Sequence, residues 1–448
     1  MISDAHFIAA NRFGYGANDR DLQSLNTITP VSWLKQQLLE PYPLPKPAWS
    51  SQQAITDVYA FNTFRKGSGL DQGEVSKARR TIVMKARAMA EQSVQQSFST
   101  NRPLQARLLD FFSNHFSVSR ANLSSLALAP TLEAEAIAPN LHGYFAQMLK
   151  QVVSHPAMIV YLNNERSVGP NSKVARRRKK AGLNENLGRE VLELHTLGVN
   201  GGYTQQDVIE LAKALSGWSI GNPEKDESAG FVFRHNAHEP GRRTILNKRY
   251  AQINKSQGEA QGLGILNDLA NHPQTAKHIS HKLAKHFIAD QPDQGLVDAM
   301  SAAFLSSQGH IPSVMNAMID HPQSWQMTQQ KLKTPRDFVI SACRGCSVMS
   351  PRPSIYQLLE VLGQGLFNAG SPAGYADDAS AWSGPQALMS RIEWSEHFAK
   401  QVSADSLMLA PALLGGFLNE HTRTQIARAE SQRQAITLLL MSPEFQRR

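Results

Sequence analysis

The sequence predicts an all-α fold: a large multi-helical globular protein with at most one small β-hairpin. Three observations carry that expectation. Apolar residues recur at spacings of three and four through most of the chain, which is the helical period. Strand-like alternation is confined to FVFRHN (231–236) and RTILN (243–247), short enough for one hairpin. The 448 residues are 41% hydrophobic and 19% charged, an ordinary globular composition.

Taken in order, the helical segments are 75–98, 103–116, 130–153, 184–197, 205–218 and 257–270, followed by 273–289, 294–306, 312–319, 335–347, 353–363, 384–401 and 423–440. Pro103 opens the second of these, a first-turn position that needs no amide hydrogen. Thr204-Gln-Gln-Asp207 is a capping-box-like start after the turn residues Asn200-Gly201-Gly202. Loops are expected at 40–50, 164–183, 219–248 and 368–384. The last, NAGSPAGYADDASAWSG, is too long for a simple connector, and its Gly, Pro and aromatic content suits an ordered loop laid over a surface or site. No fixed-period repeat is present, so a solenoid is disfavoured. The chain reads as a single helical domain over 1–448, with sub-lobes 1–220 and 221–448 as an option within it.

The net charge is +9. Much of the excess sits in Lys173, Arg176, Arg177, Arg178, Lys179 and Lys180, a block that reads as a mobile solvated loop with no specific nucleic-acid role. No apolar run reaches membrane-spanning length. The first residues show no signal peptide, so a cytoplasmic location is the default, with export to the periplasm beside a signal-bearing partner as the alternative. Cys343 and Cys346 are the only two cysteines and form one CxxC, expected to be ordinary thiols near a helix end.

The segment GLNENLGREVLELHTLGVNGGYTQQDVIELAKALSGW (182–218) concentrates the candidate chemistry. At about 100° per residue, Leu187, Val191, Leu194 and Leu197 share an arc that faces a core. Glu185 and Arg189 form an i,i+4 surface pair beside Glu193. Glu190 falls inside the apolar arc, so it is expected to be largely buried and to need a cation, a metal, a proton or hydrogen-bond donors. His195 lies on the far edge. His115, at the end of DFFSNHF, and His238-Glu239 could supply partners. Together these residues suggest two readings. One is a pocket with Glu190, Glu193 and His115 as catalytic candidates and His115, Glu190, His238 and Glu239 as candidate ligands for a divalent Zn, Fe or Mn ion. The other is a polar network that holds helices together. No HExxH, GxSxG or P-loop is present.

The 182–218 run resembles the signature of the bacterial family called domain of unknown function 1800 (DUF1800). RFGYG near the start, FFSNHF (111–116), YLNNERSVGPNS (161–172), HEPGRRTILN (238–247), HPQTAKHISHKLAKHFIADQP (272–292), LKTPRDFVISA (332–342) and GQGLF…SPAGY…W (363–382) look like further family blocks, covering nearly the whole chain. The chain departs from the family pattern at Asn163 and Glu239, where Asp is usual. The resemblance implies a possible partner, a sulfatase-like protein of the DUF1501 kind, since members are often encoded beside that family. The two functions carried forward are a non-catalytic accessory or maturation partner of such a protein, and a metal-assisted or acid/base hydrolase with a His/Glu pocket.

Overall fold

The computed structural model describes residues 3–44, 47–67, 71–178, 182–252, 257–328 and 331–448. The protein is about 62% helical, with two small two-stranded antiparallel sheets among the described residues. Buried side chains from Phe7 to Phe445 form one connected hydrophobic core. Charged pairs and hydrogen bonds tie its distant parts together: Arg344 to Asp21 at 2.7 Å, and Arg12 to the Ser324 carbonyl at 2.7 Å. Among the described residues, no helix is long and apolar enough to cross a membrane.

Helix starts follow local chemistry. Thr204 accepts from the Asp207 amide and Asp207 returns the bond, so the capping box is present. Pro103 and Pro335 occupy first-turn positions of helices Pro103–His115 and Pro335–Gly345, and Thr334 caps the latter through the Asp337 amide. Helices at Pro30–Gln37, Ser51–Phe64 and Ser406–Leu414, among others, fall where periodicity had not marked them.

Four expectations need correction. There are two sheets, not one hairpin: Phe231–Phe233 pairs with Trp218–Ile220, and Arg243–Ile245 pairs with Lys248–Tyr250. The two candidate strands thus find separate partners, each with its own turn. The predicted helix 130–153 is broken. Helix Leu123–Leu132 passes into a π-turn at Glu133–Ile137 and a 3-10 turn at Ala138–Asn140, and helix Phe145–Ser154 follows. The basic block is not wholly a loop: Ser172 caps a short helix Lys173–Arg177 with no buried residue. Lys179 and Lys180 lie outside the described residues. Lastly, the helix at 186–196 changes type. It is α over Asn186–Glu190 and π over Val191–Thr196, where Thr196 Oγ1 reaches the Val191 carbonyl at 2.6 Å.

That change moves the buried face. In a π-turn each residue rotates through less than 100°, so a wheel drawn at the α period misplaces everything after Val191. Leu192 and His195 turn inward, at 0% and 1% exposure, whereas Glu190, expected to be largely buried, is only half-buried.

Candidate active site

The expected residues separate into three places. Glu185 does pair with Arg189, at 3.2 Å, and also accepts from Gln205. Glu190 and Glu193 stand near each other on the outer side. Burial first, then the Glu193 charge, raises the Glu190 pKa, and burial followed by Glu193 raises that of the Tyr203 phenol. No salt bridge or hydrogen bond of the Glu190 side chain occurs among the described residues.

His238 and Glu239 lie elsewhere, tied to Ser216. His238 Nδ1–H donates to the Ser216 carbonyl at 2.9 Å, and the Glu239 amide donates to Ser216 Oγ at 2.8 Å. The Glu239 carboxylate accepts from both the amide and the side chain of Asn171, at 2.7 and 2.6 Å. Both of its oxygens therefore have donors.

His115 meets His195 rather than a glutamate. The end of a helix leaves carbonyls without intrahelical donors. Here two imidazoles supply them: His115 Nε2–H donates to the His195 carbonyl and His278 Nε2–H to the Leu194 carbonyl, both at 3.2 Å. Lys282 Nζ donates to His115 Nδ1 at 3.1 Å. Burial keeps these rings neutral, lowering the His195 pKa to about 3 and that of His278 to about 4, with the Lys282 charge adding to both. Among the described residues, no group of three or more His, Cys, Asp or Glu side chains is placed to hold a metal ion. Cys343 and Cys346 are free and buried, and burial pushes the Cys346 thiol up to about 12, so neither is poised to react.

The residues that do converge were not singled out from the sequence. On helix Pro103–His115, Arg107, Asp110 and Asn114 recur at three and four and form a polar strip on a helix that also buries Leu104, Leu108, Leu109, Phe111 and Phe112. Asp110 and Asn114 face Glu133 of the π-turn, His286 near the end of helix Pro273–Phe287, Arg336 and Asp337 in the first turn of Pro335–Gly345, and the 364–377 loop, while Arg107 contacts Asp337 and His286. The cavity between them holds about 80 Å³.

Each wall is fixed by specific bonds. Arg336 and the Tyr15 hydroxyl both contact the Asp110 carboxylate. Arg107 and Arg448 reach the two oxygens of Asp337, at 3.3 and 3.1 Å. His286 Nδ1–H donates to Asp377 at 2.9 Å, while its Nε2 faces Arg107 at 3.4 Å. Asn114 clamps the loop backbone by accepting from the Tyr375 amide and donating to its carbonyl, at 2.7 and 2.8 Å. Gly374 sits beside that clamp with φ of +80°, and a Cβ there would come within 2.4 Å of the Asn114 carbonyl. The loop 368–384 therefore borders this cavity, and it brings Asp377 to its wall.

Two carboxylates of this cleft are driven in opposite directions. Burial pushes Asp110 up to about 6, against the pull of Arg336 and Tyr15. Asp377 is also penalised by burial, but His286, Lys331 and Lys282 outweigh that and hold it down to about 2. Glu133 is 4% exposed, and its Oε1 has no hydrogen-bond partner. A buried polar atom left open in a cavity wall is costly unless water or a ligand completes it.

No curated protein and no solved structure matches this chain. The model of the family described as Protein of unknown function (DUF1800) matches residues 8–447. Nearly the whole length is covered, including every residue that lines the cavity, and the chain belongs to that family.

Proposed function

We propose that the protein is an acid–base hydrolase and that the cleft around Asp110 is its active site. The observation that carries this reading is the pair of carboxylates in one cavity wall: Asp110 with a pKa raised to about 6, and Glu133 with an unpartnered Oε1. A buried carboxyl with a raised pKa is placed to offer a proton, and an open carboxylate oxygen in the same wall is placed to hold a water. Asp110 would protonate the leaving group, Glu133 would orient and deprotonate the attacking water, and Arg336 would stabilise charge that develops between them. About 80 Å³ holds two or three waters, so the scissile group enters while the rest of the substrate stays outside. This reading moves the hydrolytic pocket away from Glu190, Glu193 and His115, and it requires no metal.

The test is turnover of alkyl glycosides and alkyl esters, whose leaving groups need a proton. Wild-type protein should hydrolyse one of the two classes, and Asp110→Asn should lose at least about 100-fold. Turnover that survives both Asp110→Asn and Glu133→Gln, or none with either class, overturns the proposal.

A second reading, accessory to a sulfatase-like DUF1501 protein, is favoured by one surface. Leu388, Met389 and Ile392 lie on adjacent turns of helix Pro385–Ala399 and are 47%, 52% and 36% exposed. Neighbouring exposed apolar side chains of this kind suit a protein contact. Co-purification of that partner, lost in Leu388→Asp/Ile392→Asp, would support it.

A further inference from the structure

A second concavity, sharing no residue with the Asp110 cleft, holds about 690 Å³. That is within the range of small-molecule pockets. Its floor is apolar: Ile55, Val58 and Phe61 on one face of helix Ser51–Phe64, with Leu128 and Val160 opposite. Its rim is cationic. Arg65 and Arg79 are exposed and make no ion pair or side-chain hydrogen bond among the described residues, and Arg166 pairs only with its neighbour Glu165, at 3.3 Å. Among the lining residues, three guanidinium groups thus stand against one carboxylate.

We infer that this concavity binds a single-chain amphiphilic anion, with an alkyl or acyl body on the floor and a carboxylate, phosphate or sulfate head at Arg65 and Arg79. The argument is the pairing of two features. An apolar floor rewards a hydrocarbon body by roughly 25 cal/mol per Å² removed from water. Guanidinium forks at the mouth match the paired oxygens of an anionic head and are free to do so. A neutral hydrocarbon would leave the arginines unused, and a hydrophilic anion would leave the floor unused. The site is independent of the hydrolase reading, since neither Asp110 nor Glu133 borders it.

The experiment is calorimetric titration of the full chain with sodium decanoate below its micellar concentration. Decyl glucoside serves as the uncharged analogue and a hexaglutamate peptide as the hydrophilic anion. The inference expects saturable one-to-one binding of decanoate, and binding of the other two at least tenfold weaker. Arg65→Ala/Arg79→Ala should weaken decanoate at least tenfold, and Asn62→Trp, at the half-exposed edge of the groove, should block it. Thermal denaturation verifies that these surface variants fold. Absence of saturable decanoate binding, equal binding of decyl glucoside, preference for the peptide, or indifference to both variants would overturn the inference.

Discussion

Helix Pro273–Phe287 carries basic side chains into two regions of the molecule, and the regions treat them differently. His278 and Lys282 enter a packed aromatic cluster, where they donate to the Leu194 carbonyl and the His115 ring, although the Lys282 charge is also felt at Asp377. His286, two turns further on, meets the Asp377 carboxylate at 2.9 Å. Burial in the first region drives charge out, lowering His278 to about 4. In the second, a cation-rich surround fixes charge in place, and Asp377 stays ionised down to about 2. The side chains alone do not distinguish a structural cluster from a reactive one. The partner does, and the second region also borders a cavity.

The sharpest way to break this comparison is to remove the carboxylate partner. Asp377→Asn removes the carboxylate that offsets the Lys282 ammonium and accepts from the His286 ring, and should cost roughly 3–5 kcal/mol. Its pH signature has a definite sign. The folded pKa lies below the usual 3.8, so its stabilisation is full above 3.8 and is lost as pH falls toward 2. Denaturant midpoints for wild type and variant at pH 7 and pH 3 check both parts. Equal midpoints at pH 7 would mean that Asp377 is solvated and holds nothing.

The aromatic cluster should respond to acid in a higher range. His278 and His195 have folded pKa values below 6.5, so the unfolded chain binds protons that the folded chain refuses. Stability is therefore full above about pH 6.5 and declines as pH falls to about 4, by on the order of 3 kcal/mol for each ring. His278→Gln keeps a donor for the Leu194 carbonyl and removes one titrating ring. It should flatten the loss between pH 7 and pH 4 by about that amount, measured by urea midpoints. An unchanged slope would place His278 in water.

The smallest effect belongs to Glu190. A half-buried carboxylate with no bonded cation strands nothing when it is neutralised, so Glu190→Gln should change stability by less than about 0.5 kcal/mol, alongside Glu185→Gln. A loss of several kcal/mol would restore a buried role for Glu190.

The comparison also explains what could be read from the sequence. Periodicity, first-turn prolines and the Thr204 capping box were legible because they are local. Glu185–Arg189 was legible for the same reason. The Glu190 reading failed because a π-turn cannot be seen from an α-helical wheel, and the turn gave the inward position to His195 instead. The cleft was half-legible. Arg107, Asp110 and Asn114 repeat at helical spacing in one block, and PRDF and SPAGY are blocks that contribute Arg336, Asp337 and the loop leading to Asp377. What the sequence could not supply is their convergence from segments up to 267 residues apart, since Asp377 lies that far beyond Asp110. Nor could it show that burial would outweigh an arginine at Asp110.

That last balance is the central claim, and it can be measured directly. The carboxyl carbons of ¹³C-labelled aspartate, titrated by NMR in wild type and in Asp110→Asn, identify the Asp110 resonance by its loss in the variant. The account predicts a midpoint near 6 for that resonance. A midpoint at or below about 4 would show Arg336 winning over burial, leaving Asp110 ionised at working pH and unable to donate a proton.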